Sequence, residues 1–137
     1  MSKHHRPLTL AIDFDGTIVE EAFPGLGKMK PEANKYINML YDQGCMILIN
    51  TCRTGGYEAD AENFLRRMGI KYHYINCNLP QSIEYFKQDC RKLSADVYID
   101  DRCLLGLPPT WKEIYDIVQI KLQKYEEAAK LRDVEKQ

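Results

Sequence analysis

The sequence predicts an α/β domain in which helices cover both faces of a mainly parallel β-sheet. Short apolar segments alternate along the chain with segments whose apolar residues recur at helical spacing. Gly44 and Gly69 close the first two helical segments, as expected at helix ends. Because strands that alternate with helices are joined by right-handed crossovers, this order favours a three-layer Rossmann-like fold. The length of 137 residues is that of one domain, with a core expected over about 8–125.

Four segments have the length and composition of buried strands. They are residues 8–14, 45–50, 71–76 and 97–99. The second of them, CMILIN, is a continuous apolar run of the kind found in a parallel sheet that is covered on both faces. We therefore expect this strand to be buried on both of its faces.

Between and after these strands, apolar residues recur at the spacing of an α-helix. It covers residues 31–43, 57–68, a short stretch from 80 to 86, and 111–125. Pro31 suits a first helical turn, and Thr110 with Glu113 forms a capping box for the last helix. The charge-rich tail 126–137 is expected to fray or to extend that helix in solvent.

Composition excludes several classes of protein. The chain has 19 basic and 20 acidic residues, a net charge of −1, which argues against a protein that coats nucleic acid or a membrane surface. It has no apolar run near the roughly 20 residues that cross a bilayer, and no apolar secretory segment near its amino terminus. Its five cysteines form no C-x-x-C pair, so reduced thiols and a cytoplasmic location are expected.

Acidic residues follow the first and fourth predicted strands. Asp13 and Asp15 lie in the string DFDGT, and Asp100 and Asp101 lie in ADVYIDDR. Because the carboxyl ends of parallel strands border one crevice, we expect these four carboxylates to lie close together. They would repel one another strongly unless a positive charge lay among them. Mg²⁺, which binds carboxylate oxygens and shares substrate phosphate, is the natural candidate.

Other polar residues follow the second to fourth strands. Thr51 offers a hydroxyl to a phosphoryl group. Arg53 offers a planar fork of donors and is expected to bind the phosphate, with an ion pair to one of the clustered acids as the alternative. Asn76 and Asn78 either line the same pocket or cap the turn before the short helix. Arg102 is expected to form a structural ion pair.

Three rival chemistries lack their motifs. No cysteine is followed by an arginine at the C-x5-R spacing of cysteine phosphatases, and neither a Walker loop nor G-x-S-x-G is found. A receiver-like switch would need an acceptor aspartate after the third strand, where this chain has Asn76 and Asn78.

The combination of DFDGT, TCR and ADVYIDDR resembles the haloacid dehalogenase (HAD) superfamily, from about Leu8 to Arg102. It looks most like small capless members, and SADVYIDDR also resembles the closing motif of deoxyribonucleotidases. The resemblance implies a HAD-like domain and a Mg²⁺-dependent phosphatase, a phosphomonoester hydrolase that forms an aspartyl-phosphate.

The same resemblance implies a role for each matching residue. Asp13 would be the nucleophile, Asp15 the general acid and base, and Thr51 the phosphate-binding hydroxyl. Asp100 and Asp101 would hold Mg²⁺ together with Asp13 and the backbone carbonyl of Asp15; of the two, Asp101 is favoured for direct contact.

The superfamily also has a lysine that neutralises the phosphoryl group, and here the candidates are Lys92 and Lys87. Lys92, in RKLSAD, is the better match. It reaches the site only if the chain between the short helix and Leu93 turns back over the sheet; otherwise it is a solvated surface lysine.

The insertions at 18–30 and 77–96 have only thirteen and twenty residues, too few for a cap domain. We therefore expect an open site with a small flap formed by Phe23, Pro24, Leu26 and Gly27. Such a site admits a large phosphorylated partner, or a small molecule shielded by a second subunit in a homo-oligomer. A phosphorylated metabolite or nucleotide is the preferred substrate, and a non-enzymatic phosphate-responsive or partner-binding module is the alternative function.

Overall fold

In the computed structural model, which describes residues 6–135, four strands alternate with four helices. The strands are β1 (Thr9–Asp13), β2 (Met46–Asn50), β3 (Tyr74–Ile75) and β4 (Val97–Ile99). The helices are α1 (Ala33–Asp42), α2 (Gly55–Arg67), α3 (Pro80–Phe86) and α4 (Trp111–Glu135). The predicted α/β fold is confirmed.

The sheet has the order β3-β2-β1-β4, and every pair of neighbouring strands is parallel. β1 is therefore an interior strand between β2 and β4. Its last residue, Asp13, is in register with Asn50 of β2, and Ile12 is in register with Ile99 of β4. This register places the loops that begin at Thr51 and Asp100 on either side of the loop that follows Asp13.

Two apolar clusters cover the two faces of the sheet. The larger contains Ile12 and Ile49 from the strands together with buried side chains of α1, α2 and α4, such as Ile37 and Leu65. The smaller, on the opposite face, consists of Leu48, Leu79 and Leu93 with Met46 packed against them. Leu79 is the N-cap of α3, so this third layer is formed by the start of α3 and by the chain around Leu93.

Several elements differ from their predicted bounds, and for α1 and β3 the reason is local. α1 begins at Ala33 because Glu32 has a left-handed backbone conformation, with φ of 62°, which no α-helix contains. β3 begins only at Tyr74. The His73 amide still donates to the Ile47 carbonyl at 2.8 Å, but the Ile47 amide donates to Nδ1 of the His73 side chain at 2.9 Å instead of to a backbone carbonyl.

The charged tail extends the last helix, since α4 continues to Glu135. α4 is also the longest helix, with 25 residues that include many charged ones. Within residues 6–135, no helix combines the length and apolar character that crossing a bilayer requires.

Candidate active site

A cavity of about 270 Å³ opens beyond the carboxyl ends of β1, β2 and β4. It is lined by Asp13, Asp15, Glu21, Phe23, Thr51, Cys52, Arg53, Asp100, Asp101 and Arg102. All but one of the predicted site residues are therefore together in one cavity. The exception is Lys92.

Three carboxylates form a cluster in this cavity. Asp13, Asp100 and Asp101 each offer an oxygen, and these oxygens lie within 4.8 Å of one another. Two ligands on opposite sides of a Mg²⁺ ion are separated by about 4 Å, since each lies about 2.0–2.1 Å from the ion. The oxygen donors and their spacing therefore fit a small, hard divalent cation. The carboxylate of Asp15 is not part of the cluster.

The cluster stabilises the protonated form of Asp13. Burial, which contributes most, together with a hydrogen bond with Asp101 and the charge of Asp100 raises the pKa of Asp13 from 3.8 to about 7. The hydroxyl of Thr17, which donates to Asp13 Oδ2 at 3.1 Å, opposes this shift. A cation bound among these oxygens would therefore compete with a proton.

This shift predicts how the stability of the metal-free protein changes with pH. A folded-state pKa raised from 3.8 to about 7 gives stabilisation that is complete below about pH 4 and is lost as the pH rises through 7. Asp13→Asn lacks this titrating group. In the presence of a chelator, its unfolding free energy should therefore rise relative to that of the wild type as the pH increases. We expect a relative gain of roughly 2 kcal/mol between pH 4 and pH 8, reduced for partial solvent exposure.

Urea denaturation at several pH values measures this difference. Asp116→Asn on α4, which removes an exposed acid from a surface ion pair, is the control and should show a much flatter difference. A difference between Asp13→Asn and wild type that stays constant from pH 4 to pH 8 would contradict the assigned environment of Asp13.

Gly16 and Thr17 join the loop after β1 to the loop after β4. Gly16 has a φ of +85°, and a Cβ there would lie 2.2 Å from Oδ2 of Asp101. Thr17 accepts a hydrogen bond from the Asp101 amide at 3.1 Å, and its carbonyl accepts one from the indole of Trp111 at 3.0 Å. The sequence shows both residues inside DFDGT but gives no sign of these contacts across 84 residues.

Arg53 binds an acid of the site. Its Nε and Nη2 donate to the two carboxylate oxygens of Asp15 at 2.7 and 2.8 Å, and the side chain is 1% exposed. This hydrogen bond raises the pKa of Arg53 further, so the guanidinium stays charged. Of the two alternatives left open by the sequence, the structure therefore has the ion pair.

Asn76 supports the loop that carries Thr51. It has a left-handed backbone, with φ of 54°, and its side chain accepts from the Thr51 amide at 2.8 Å and donates to the Arg53 carbonyl at 3.1 Å. The Thr51 hydroxyl accepts from the Arg53 amide at 3.1 Å, so its own hydrogen can still donate into the cavity. Asn76 is thus a supporting residue of the loop, and Asn78 serves a different segment.

The chain before β4 turns back over the sheet, as a role for Lys92 requires. Asn78 is buried, and its side chain donates to the Cys90 carbonyl at 2.9 Å and accepts from the Ser94 amide at 2.6 Å. The ammonium of Lys92 lies 5.2 Å from the ring centre of Tyr98, two residues before Asp100. Lys92 therefore lies beside β4 and outside the residues that line the cavity.

Two further cationic side chains make contacts that the sequence did not predict. Lys30, which sequence reasoning missed, donates from Nζ to the carbonyl of Gly16 at 2.5 Å. The sequence predicts a structural ion pair for Arg102, but its side chain forms no ion pair with the acids of residues 6–134 and is exposed where it lines the cavity. The expectation for Arg102 was therefore wrong, because the adjacent acids face the cluster.

The insertion 18–30 folds back on itself, which brings Lys30 to Gly16. Val19 pairs antiparallel with Met29, and a Cβ on Gly27 would lie 1.9 Å from the Glu20 carbonyl. We call its tip, residues 20–27, the flap. The flap packs on α2 through Phe23 and Tyr57, whose ring centres are 5.2 Å apart.

Neither a protein-family model nor a curated protein matches the chain. Among solved structures it is similar to a conserved protein coded by a locus from Bacteroides thetaiotaomicron, with 33% sequence identity and a TM-score of 0.76. The match covers 85% of this chain and 93% of the other. The chain therefore belongs to the same protein family as this conserved Bacteroides thetaiotaomicron protein.

Proposed function

We propose that the protein is a Mg²⁺-dependent phosphomonoester hydrolase that forms an aspartyl-phosphate on Asp13. The observation that carries the proposal is the arrangement of one cavity in which a cluster of three carboxylates lies with Thr51 and Asp15. The resemblance of DFDGT, TCR and ADVYIDDR to the HAD superfamily supports the same chemistry.

The residues that would hold the cation are Asp13, Asp100 and Asp101, together with the backbone carbonyl of Asp15. The carboxylate oxygens of the three clustered acids are hard donors within 4.8 Å of one another, which fits Mg²⁺. When bound, Mg²⁺ would neutralise the acids and withdraw charge from the phosphoryl oxygens.

In the first step, an oxygen of Asp13 attacks the phosphorus atom. The bond between phosphorus and the leaving oxygen breaks, and Asp15 donates a proton to that oxygen. Thr51 donates its hydroxyl hydrogen to a phosphoryl oxygen. Lys92 would need to leave the Tyr98 ring to add a positive charge there.

In the second step, water attacks the phosphorus atom of the aspartyl-phosphate. The bond from phosphorus to Asp13 breaks, its electron pair returns to the carboxylate, and Asp15 accepts the proton of the water. Inorganic phosphate leaves, and Asp13 is regenerated.

The cavity also limits the substrate. A volume of about 270 Å³ suits a phosphoryl group with a small part of its leaving group, and the rest would lie against the exposed Phe23 and Arg102 at the rim. A phosphorylated metabolite or nucleotide meets this description. A second subunit over the rim would shield a small substrate further.

We expect hydrolysis of p-nitrophenyl phosphate to require a divalent cation. Activity should fall at least about 100-fold in a chelator and return when Mg²⁺ is added in excess, because the clustered carboxylates hold phosphate poorly without a cation. Steady-state release of p-nitrophenol measures this, and a panel of phosphorylated metabolites then identifies the preferred ester.

Two results would count against this function. Full activity in the chelator would show that hydrolysis does not require a divalent cation. Mg²⁺ binding in calorimetry without turnover of any ester would favour the non-enzymatic binding module instead.

A further inference from the structure

We propose that Arg53 is a positioning residue that orients Asp15 to accept the water proton when the aspartyl-phosphate is hydrolysed. The flap is part of this device, because it holds the guanidinium in place. This inference rests on the proposed function and concerns its second step. It assigns Arg53 a role other than the phosphate contact expected from the sequence.

The ion pair with Arg53 fixes the plane of the Asp15 carboxylate. Two parallel N–H···O bonds, of 2.7 and 2.8 Å, join Nε and Nη2 to different oxygens of one carboxylate. Such a bidentate pair sets the orientation of the carboxylate as well as its position. The Arg53 side chain is 1% exposed and that of Asp15 is 14% exposed, so the acid reaches the cavity with the guanidinium buried behind it.

Groups of the flap hold the guanidinium from the other side. Nη2 donates to the carbonyl of Gly25 at 2.6 Å, and Nη1 donates to that of Pro24 at 3.4 Å. The rings of Phe14 and Phe23 have their centres 5.5 and 5.0 Å from the guanidinium carbon, which suits cation–π contact. The orientation of Asp15 therefore depends on the position of the flap.

The hydrogen-bond count argues against a direct phosphate contact. Arg53 has five side-chain N–H donors. Four of them have acceptors: two on Asp15 and one each on Gly25 and Pro24. A phosphoryl group would have to displace the ion pair or the flap to gain a bidentate contact.

In the proposed reaction, Arg53 contacts neither the phosphoryl group nor the attacking water, and it acts only through the carboxylate of Asp15. In the hydrolysis step, a bond forms between the water oxygen and phosphorus, the bond from phosphorus to Asp13 breaks, and the proton moves to Asp15. With an aryl phosphate, the first step needs no proton from Asp15 because a phenolate of low basicity leaves unaided. Loss of the orientation of Asp15 should therefore slow the second step alone.

The test is Arg53→Met with p-nitrophenyl phosphate and Mg²⁺. Met has a similar length and no donors, so it keeps much of the packing. We expect kcat to fall about 30- to 100-fold, as for a misplaced catalytic group, while kcat/KM stays within about threefold. Acid quenching with radiolabelled substrate should show phosphoenzyme accumulating. The kcat of Arg53→Lys should lie between those of the wild type and Arg53→Met, since the point charge of lysine cannot form the two parallel hydrogen bonds.

Two controls separate positioning from structure. Arg67→Met removes another arginine that lies over a phenylalanine ring, 5.8 Å from Phe64, and should leave kcat unchanged. In an Asp15→Asn background, Arg53→Met should cause no further loss of kcat, because residues that act through one another are not additive.

Other outcomes overturn the inference. Equal losses of kcat and kcat/KM, without accumulated phosphoenzyme, would mean a structural role in the flap. A raised KM with unchanged kcat would mean a direct phosphate contact. Absence of both turnover and phosphoenzyme in the wild type would instead overturn the proposed function itself.

Discussion

Asp13→Asn is expected to lower Mg²⁺-dependent hydrolysis of p-nitrophenyl phosphate at least about 1,000-fold while the fold persists. A neutral amide of the same shape cannot form the acyl-phosphate bond, and it also removes one of the three charges that would hold the cation. Asparagine can still accept the hydrogen bond that Thr17 donates at 3.1 Å, so the loop after β1 should keep its conformation. Steady-state rates and the far-UV circular dichroism spectrum measure the two parts of this prediction.

The matched control is Asp116→Asn, in which an exposed ion pair on α4 loses its acid. Its activity should stay within about twofold of wild type, since surface ion pairs contribute little. If Asp13→Asn kept more than a tenth of the activity, or if phosphoenzyme formed on it, Asp13 would not be the nucleophile.

The position of the acids could be predicted from the sequence because it depends on topology alone. Once β1 and β4 are parallel neighbours, the residues that follow them meet at one edge of the sheet. Asp13, Asp100 and Asp101 are each within one or two residues of a strand end. Side chains this close to the strands have little freedom to lie elsewhere.

The partners of the long cationic side chains could not be predicted in this way. Arg53 and Lys30 find carbonyl groups that are distant in sequence, at Gly25 and Gly16, and these contacts exist only because the insertion 18–30 folds back. A lysine or arginine can reach several acceptors, and packing of the surrounding chain decides between them. The position of Lys92 could not be predicted for the same reason. It depends on a turn of the chain before β4 that the side chain of Asn78 stabilises.

Gly16→Ala is the second change from which we expect a large effect. A Cβ at this position would lie 2.2 Å from Oδ2 of Asp101, and the φ of +85° is unfavourable for alanine. Asp101 must move to relieve the contact, which separates it from the oxygens of Asp13 and Asp100. We expect hydrolysis to fall at least about 100-fold and Mg²⁺ to lose its stabilising effect on thermal unfolding.

Backbone strain alone would also destabilise the protein, so the control must share it. Gly44 has a φ of +95°, and a Cβ there would meet nothing within 4 Å. Gly44→Ala should therefore cost about 1–2 kcal/mol of unfolding free energy while keeping wild-type activity and Mg²⁺ stabilisation. If Gly16→Ala behaved in the same way, close contact between Gly16 and Asp101 would not be needed to hold the cluster. A selective loss in Gly16→Ala would show that the glycine is required by the acid it faces, since both variants carry comparable backbone strain.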